Sequence, residues 1–326
     1  LRLDDKTRAH FFQGQKMARR ATIGTPETLA KADLARLRAF HKRWYRPENA
    51  VIVVSGDAKP AELEQYVRKH FGSWRGDGPK APQPDFGKPA SGGAKAVTVS
   101  DPALPMMATI AFNRPWRPKN DTIAYNEQLM IDGIAQRIIN RRLENLARDG
   151  ASFTLAQLGQ QDVARTADLT IINVKPLAND WEKAIVEVRG VIADALQSPP
   201  PKADIERELA IFSDEFRTRV ESYRFEAGAK QAEDIVRAVD IRETVAAPQT
   251  VVSVFENMRA KFTPENIFAA TQKLFTADAS YILLSGPNAP ADANTRLASV
   301  LTSPVPANGK ARLAAVRSWR LSSSMV

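Results

Sequence analysis

Histidine is the side chain that proteins use most often as a base and as a metal ligand, and this chain has three: His10, His41 and His70. No two of them lie four residues apart, so neither common zinc-binding spacing, His-Glu-x-x-His or His-x-x-Glu-His, is present. Lys42 and Arg43 follow His41, and their charges oppose metal binding there. His70 lies near the end of a predicted helix, where a cation favours the helix dipole. We expect all three histidines to be structural or surface residues.

The acidic residues also suggest structure rather than catalysis. Asp4 and Asp5 are adjacent, and neighbouring residues of a helix point to different faces, so we expect both to be solvated. A second acidic group alternates with arginines and predicts an ion-paired helix face. Its members are Glu206, Glu208, Asp214 and Glu215, with Arg207, Arg217 and Arg219.

Other catalytic and ligand-binding motifs are missing from the sequence. The absence of cysteine excludes disulfides, thiolate-bound zinc and thiol nucleophiles. There is no Gly-x-Ser-x-Gly elbow, no Walker loop and no Gly-x-Gly-x-x-Gly. Arg141 and Arg142 could contact a phosphate, but arginines near the end of a helix also favour its dipole, and we prefer that interpretation. No catalytic, cofactor-binding or metal-ligating residue is therefore assigned in this chain.

The net charge of +9 raises the possibility of an anionic partner such as nucleic acid or a membrane surface. The basic residues are spread along the chain and form no run interleaved with aromatic residues, so we expect no nucleic-acid partner. No apolar run approaches the roughly 18 residues of a membrane span. The lack of cysteine fits a periplasmic protein, although many cytoplasmic proteins share it.

Two stretches of the chain share one pattern and predict how the chain is organised. Residues 33–56 and 264–286 each consist of a helical segment, a short break, an apolar run of strand length and a glycine. We expect buried strands at 50–54 and 281–284, because their apolar runs do not alternate with polar residues. The simplest explanation is a duplicated α+β domain.

The remaining elements follow from periodicity and from turn residues. Residues 76–94 are rich in Pro, Gly, Lys and Ser, which predicts a linker. The expected elements after it are strands at 96–99 and 106–112, a helix at 121–148, an antiparallel pair at 153–160 and 167–174, and a helix at 181–196, followed by further helices up to 275. Residues 303–326 are weakly patterned and predict a tail or connector.

Several short motifs resemble the pitrilysin/insulinase family of zinc metallopeptidases. Those in the first quarter are the more specific: TIGTPE at 22–27, Asp33-Leu34, WYRPENA at 44–50, VSGD at 54–57 and FGSW at 71–74. NRRLE at 140–144 and Ser152-Phe153 resemble the long helix and the following strand of that family's second domain. The resemblance extends over about residues 1–300.

The resemblance implies an α+β fold of two related domains, each an antiparallel sheet with helices packed on one side. Residues 1–75 would be the C-terminal part of an incomplete first domain, 76–94 the linker, 95–302 the second domain and 303–326 the connector. The first ten residues resemble the middle of a helix, so we expect the chain to begin inside a domain. In the family, two such halves close like a clamshell over a peptide.

The same resemblance implies what this segment lacks. The family binds zinc through His-x-x-Glu-His and a later Glu, all upstream of the part that matches this chain, and the zinc activates the attacking water. In the family, an Arg and a Tyr from the other half of the clamshell complete the site. The matching stretch of this chain, residues 148–153, contains no tyrosine. We therefore expect this segment to bind no zinc, to be inactive alone, and to serve as scaffold and chamber wall.

The implied partners are a peptide substrate and the remaining half of the clamshell, in the same chain or in a second one. The alternative is a non-catalytic homologue that acts as a structural or partner subunit of a peptidase complex. Periplasmic location is expected, with a cytoplasmic one as the alternative.

Overall fold

The computed structural model describes residues 2–90, 92, 94–177, 179–288, 290, 292–305 and 307. Its strands are β1 (Lys95–Ser100), β2 (Met107–Pro115), β3 (Phe153–Val163), β4 (Ala167–Pro176) and β5 (Ala279–Gly286). The helices before β1 are α1 (Arg2–Phe11), α2 (Pro26–Ala30), α3 (Leu34–Trp44) and α4 (Pro60–Phe71). Those after it are α5 (Ile123–Arg148), α6 (Trp181–Gln197), α7 (Lys202–Tyr223), α8 (Gly228–Ile241), α9 (Pro248–Asn257), α10 (Pro264–Phe275) and α11 (Ala293–Thr302).

The five strands form one sheet in the order β1-β5-β2-β4-β3. The expected antiparallel pairing holds for β5 with β2, β2 with β4 and β4 with β3. It is wrong for β1, which runs parallel to β5. A parallel pair needs a long crossover connection, and the chain between β1 and β5 contains the rest of the sheet and six helices. The fold is α+β, as expected.

The main core lies on one face of the sheet, where α5, α6 and α10 pack. Helix α5 begins where the Thr122 hydroxyl accepts a hydrogen bond from the Tyr125 N–H at 3.2 Å, as an N-cap does. Ile131, Ile134 and Ile138 follow at helical spacing and are all buried. This spacing places the apolar stripe of α5 against the strands and its polar residues on the other faces.

The opposite face of the sheet is also covered, by the end of α1. The sequence-based expectation placed helices on one side only. Phe11 and Phe12, at the end of α1, pack with Tyr281 and Leu283 of β5 in a second, smaller core. Two consecutive aromatic residues at a helix end need an apolar surface, and the outward side of β5 supplies one. The residues of α1 are therefore part of the layer behind this sheet.

The strand expected at 50–54 is absent, and its residues are not buried. Val51 and Val54 are 63% and 50% exposed in a segment without regular pairing. A strand is stabilised by hydrogen bonds to a neighbouring strand, and none of the described strands lies beside this segment. The equivalent prediction at 281–284 is confirmed, because β5 is paired on both sides.

The helices next to this segment also leave their apolar residues exposed. Leu34, Leu37 and Phe40 share one side of α3, and Tyr66 and Phe71 lie on α4. We refer to these exposed residues and to residues 51–54, which follow one another along the chain, as the 34–71 apolar surface.

The predicted linker follows an extended path that is fixed by hydrogen bonds. The buried guanidinium of Arg46 donates to the carbonyl oxygens of Asp77, Gly78 and Pro79 at 2.9, 2.7 and 3.1 Å. Further on, Gly87 and Gln15 form an antiparallel bridge. This segment therefore has defined contacts with the residues that follow α1 and α3, despite its Pro- and Gly-rich composition.

Gly14 is the position where the close approach of residues 87–90 to the segment after α1 requires glycine. Its φ is +84°, and a Cβ there would lie 2.5 Å from the Lys88 carbonyl oxygen. The tail or connector predicted at 303–326 lies outside the described residues except for positions 303–305 and 307. None of the helices in the described part of the chain combines the length and apolar composition needed to cross a membrane.

Candidate functional site

The three histidines lie apart from one another, and His10 has a structural position. Its Nε2 lies 3.2 Å from the Lys95 carbonyl oxygen and 3.1 Å from that of Ile282. Carbonyls only accept hydrogen bonds, so Nε2 carries the proton and Nδ1 accepts from the Gln13 amide. Burial lowers the pKa of His10 below its ordinary value. This neutral imidazole ties α1 to the first and last strands of the sheet.

The other expected surface residues lie on exposed helix faces. His41 stacks on Tyr45 with ring centroids 4.8 Å apart, and His70 is exposed near the end of α4. Asp5 forms an ion pair with Arg8 within α1. Among the residues whose placement is described, no three His, Asp or Glu side chains converge as a metal site would need.

Glu208, Asp214 and Glu215 of α7 are ion-paired, as predicted, but Glu208 and Glu215 pair with arginines of another helix. Glu208 is only 1% exposed, and its carboxylate lies 3.1 Å from Nε of Arg141 and 3.5 Å from Nε of Arg137, both on α5. Arg137 also forms an ion pair with Glu215, with 2.9 Å between Nη2 and Oε1. The sequence pattern indicated pairing along one helix face and missed this connection between two helices.

The adjacent arginines of α5 have separate environments. Arg141 pairs with Glu208 and, at 3.2 Å, with Glu144. Arg142 points toward Asp204 at 3.8 Å, and burial lowers its pKa from the usual arginine value. Because carboxylates already neutralise both guanidinium groups, the structure gives no support to phosphate binding.

A groove runs between the polar flank of α5 and strand β3, which is the last strand at one edge of the sheet. It begins with a cavity of about 300 Å³ lined by α5, by Glu208 and by residues 155–157 of β3. A second cavity of about 280 Å³ shares Glu144, Leu155 and Ala156 with the first and continues to Arg148 and Thr154. Volumes near 300 Å³ are at the lower end of ligand clefts in proteins.

One residue of β3 has its outward backbone groups hydrogen-bonded by a side chain of α5. The Asn140 side-chain amide donates to the Leu158 carbonyl oxygen at 2.9 Å, and its oxygen accepts from the Leu158 N–H at 2.8 Å. Leu158 therefore presents both backbone groups away from β4. In an antiparallel ladder these directions alternate, so Ala156 and Gln160 present theirs the same way. The edge is open to another strand on either side of Asn140.

Most of this edge lacks the charged residues and prolines that often protect an edge strand. Residues 153–161 contain no Lys, no Pro and no other charged side chain, and Leu155 is 46% exposed. The ladder is irregular between Phe153 and Leu155, which indicates a β-bulge beside the cavities. Bulges are frequent at sheet edges and beside binding sites.

A second polar cluster lies at the other end of β3 and has a structural explanation. Asp162 accepts hydrogen bonds from Trp116 at 2.7 Å and from Lys119 at 3.0 Å. Lys119 also lies 3.5 Å from Asp168, whose pKa is raised by burial. These ion pairs join the β3–β4 turn to the segment between β2 and α5, and all three charged groups are paired.

Residues 31–212 match the protein-family model described as the Peptidase M16 inactive domain, which is more than half of the chain. The chain belongs to the M16 peptidase family. The resemblance to insulinase-like zinc peptidases that the motifs indicated is thereby confirmed.

Relatives and solved structures agree with this assignment. The chain is 19% identical over 300 residues to the probable zinc protease PqqL of Haemophilus influenzae, covering 88% of this chain and 31% of that protein. The periplasmic protease PqqL of Escherichia coli has the same fold, with a TM-score of 0.79 at 14% identity over 94% of this chain and 35% of the other. The structure of the first half of that protease gives the same TM-score at 13% identity, and 67% of it is covered.

The chain thus spans about a third of the length of the PqqL proteins that it matches. The relatives are named zinc proteases, but the side chains described here do not fit a zinc site. His10 uses both ring nitrogens in hydrogen bonds, and neither His41 nor His70 lies within a group of possible metal ligands.

Proposed function

We propose that this chain is a segment of a zinc-dependent metallopeptidase that hydrolyses peptides with a metal-activated water. In this proposal the segment forms scaffold and chamber wall, while the zinc ligands lie in residues outside it. Family membership and the zinc-protease names of the relatives support the reaction class. No three possible metal ligands come together among the described residues, which agrees with a metal site in another part of the protein. One tightly bound zinc per 326-residue chain in metal analysis would contradict it.

We propose the following domain boundaries. Residues 1–75 are the C-terminal part of a first peptidase-like domain, 76–94 a linker, 95–302 a second such domain and 303–326 a connector to the other half of the clamshell. The 34–71 apolar surface supports the first boundary, because so many exposed large apolar side chains on consecutive elements are typical of a segment that another part of a protein covers.

The groove beside β3 is the part of this wall that we assign to peptide binding. An extended peptide can add to a sheet edge through backbone hydrogen bonds, with its side chains in neighbouring pockets. The outward N–H and C=O of Ala156, between the two cavities, are the single observation that carries this assignment. The absence of charged residues and proline from residues 153–161 agrees with it.

Replacement of one outward N–H tests the assignment. Ala156→Pro removes the outward donor and leaves the ladder to β4 intact, because that N–H does not point to β4. We expect the variant to bind peptides at least about tenfold more weakly, as loss of one hydrogen bond and a steric block predict. The measurement is fluorescence polarisation with labelled Ser/Thr/Val peptides of about ten residues and the full 326-residue chain.

Gln160→Pro is the matched control, since it removes an outward N–H of the same strand away from the cavities. We expect near-normal affinity for this variant, with both variants checked for folding by circular dichroism. Absence of peptide binding to the unmodified chain, or equal loss in both variants, would contradict the proposed role of the groove.

The second candidate is a non-catalytic homologue that serves as a structural or partner subunit of a peptidase complex. It is favoured by the description of the matching family model as an inactive domain. The coding sequence upstream of Leu1 distinguishes the two candidates. An intact His-x-x-Glu-His there supports the enzyme, and its loss supports the subunit. For either candidate we propose a periplasmic location, as for the protease PqqL of Escherichia coli, with the cytoplasm as the alternative.

A further inference from the structure

We infer that Asn140 determines where a bound peptide must leave strand β3, and so sets the length of strand that the groove accepts. This inference rests on the proposed peptide binding and adds a specificity-determining residue to it. Asn140 contacts the backbone of β3 rather than a side chain, through one donor and one acceptor. A side-chain amide with this geometry occupies both groups that a neighbouring strand would use.

The position of Asn140 along the groove determines which part of β3 a peptide can pair with. The larger cavity is lined by Asn140 together with Leu155, Ala156 and Gln157, and the second cavity continues from there toward Thr154. Both cavities therefore lie on the Thr154 side of Leu158. A peptide that pairs with Ala156 meets the Asn140 amide at the next outward position and has to turn away from the sheet there.

Neighbouring side chains hold Asn140 and Leu158 in position for this contact. Asn140 lies between Arg137 and Arg141, whose side chains are held by Glu208 on α7. Leu158 itself is buried in the main core, which fixes the height of its backbone relative to α5. Exchange of the amide oxygen and nitrogen of Asn140 would place donor against donor, so only the observed orientation satisfies Leu158.

The contact also explains how an edge with no charged residue or proline over residues 153–161 avoids indiscriminate pairing. Gln160 presents its backbone outward as Ala156 does, and a long strand could pair with both if Leu158 were free. With Asn140 in place, the open edge is divided into two short parts, and only the part at Ala156 adjoins the cavities. The groove then accepts a short extended segment rather than a long strand.

Asn140→Ala tests this inference by freeing both groups of Leu158. For the unmodified chain, we expect the affinity for Ser/Thr/Val peptides to stop rising between about five and about ten residues. For the variant, we expect the longer peptide to bind roughly tenfold more tightly than the shorter one, because two further hydrogen bonds become possible. Gln128→Ala is the control, since Gln128 lies on the same helix, contacts Asp132 instead of β3 and lines neither cavity.

A second readout does not depend on peptide binding. Hydrogen exchange followed by mass spectrometry should show faster exchange in segments that contain Leu158 for Asn140→Ala, with α5 itself unchanged. Unchanged exchange at Leu158 would overturn the inference whether or not peptides bind. Binding to the unmodified chain, with the same length dependence in Asn140→Ala, would overturn the length limit alone. No binding at any length would instead refute the proposed function, and with it this inference.

Discussion

At the scale of single residues, the most informative side chains make hydrogen bonds to backbone far away in sequence. His10 joins α1 to β1 and β5, Arg46 fixes the start of the linker, and Asn140 holds β3. Each is a polar group that substitutes for regular secondary-structure pairing. Buried backbone groups need such partners, because an unsatisfied one costs about 1–3 kcal/mol.

His10 makes the stability of the chain depend on pH. Its pKa is lowered by burial from the ordinary 6.5, so the unfolded chain binds a proton more readily than the folded one. The stabilisation is present above about pH 6.5 and is lost as the pH falls through the lower, folded-state pKa.

We therefore expect His10→Gln to reduce the loss of stability between about pH 7 and pH 5. The glutamine amide can still donate to the two carbonyls and cannot titrate. Urea denaturation at both pH values measures the effect, with His70→Gln as an exposed control. An unchanged pH dependence in His10→Gln would mean that His10 is not the group responsible.

At the scale of elements, the two long helices α5 and α7 are joined by a buried carboxylate. Glu208 is almost fully buried, while Arg137 and Arg141 remain partly open to the groove. Loss of the negative charge would leave two guanidinium groups without their common partner. Partial exposure of the arginines limits the penalty, because water can solvate them.

Glu208→Gln should lower the free energy of unfolding by about 1–3 kcal/mol. Glu144→Gln is the matched control: it also removes a partner of Arg141, but its side chain is 54% exposed, so a change below about 0.5 kcal/mol is expected. Chemical denaturation of both variants provides the comparison. Equal effects would show that burial of Glu208 adds nothing to the pair.

The sequence was sufficient to predict the elements whose partners are close along the chain or strongly patterned. The helix at 121–148 and the antiparallel pair after it match α5, β3 and β4 within a few residues. The strand at 50–54 was wrong, because a continuous apolar run indicates burial but does not supply the neighbouring strand. The parallel pairing of β1 was missed because strand order depends on contacts between residues almost two hundred positions apart.

The groove was beyond sequence reasoning for a similar reason. Asn140 was recognised only as part of a family-like motif, and its contact with Leu158 depends on how α5 is rotated over the sheet. One signal was available: residues 153–161 have no charged residue or proline, which is unusual for an edge strand. That signal becomes useful only once β3 is known to lie at the edge.

At the scale of the whole molecule, the segment before the sheet and the part from β1 onward differ in how they bury apolar residues. The part from β1 onward has a core on one face of its sheet and α1 on the other. Residues 34–71 contain exposed Leu, Val, Phe and Tyr side chains on adjoining elements. This asymmetry is what the proposed division into an incomplete first domain and a second domain explains.

A substitution in the 34–71 apolar surface tests that division. Leu37→Ser should change the stability of the 326-residue chain by less than about 0.5 kcal/mol, because Leu37 is exposed. In a longer protein that includes the proposed remainder of the first domain, we expect the same change to cost about 2–4 kcal/mol, since the side chain would be buried there. Leu274→Ser, in the core beneath the sheet, should be costly in both proteins. A negligible effect of Leu37→Ser in the longer protein would contradict the proposed first domain.

The most direct test of the account is hydrogen exchange of the 326-residue chain with and without a saturating Ser/Thr/Val peptide. If β3 is the peptide-binding edge of a peptidase wall, protection should increase in segments that contain Ala156 and remain unchanged at Gln160. Protection confined to other parts of the chain, or none at a peptide concentration that saturates binding, would contradict it.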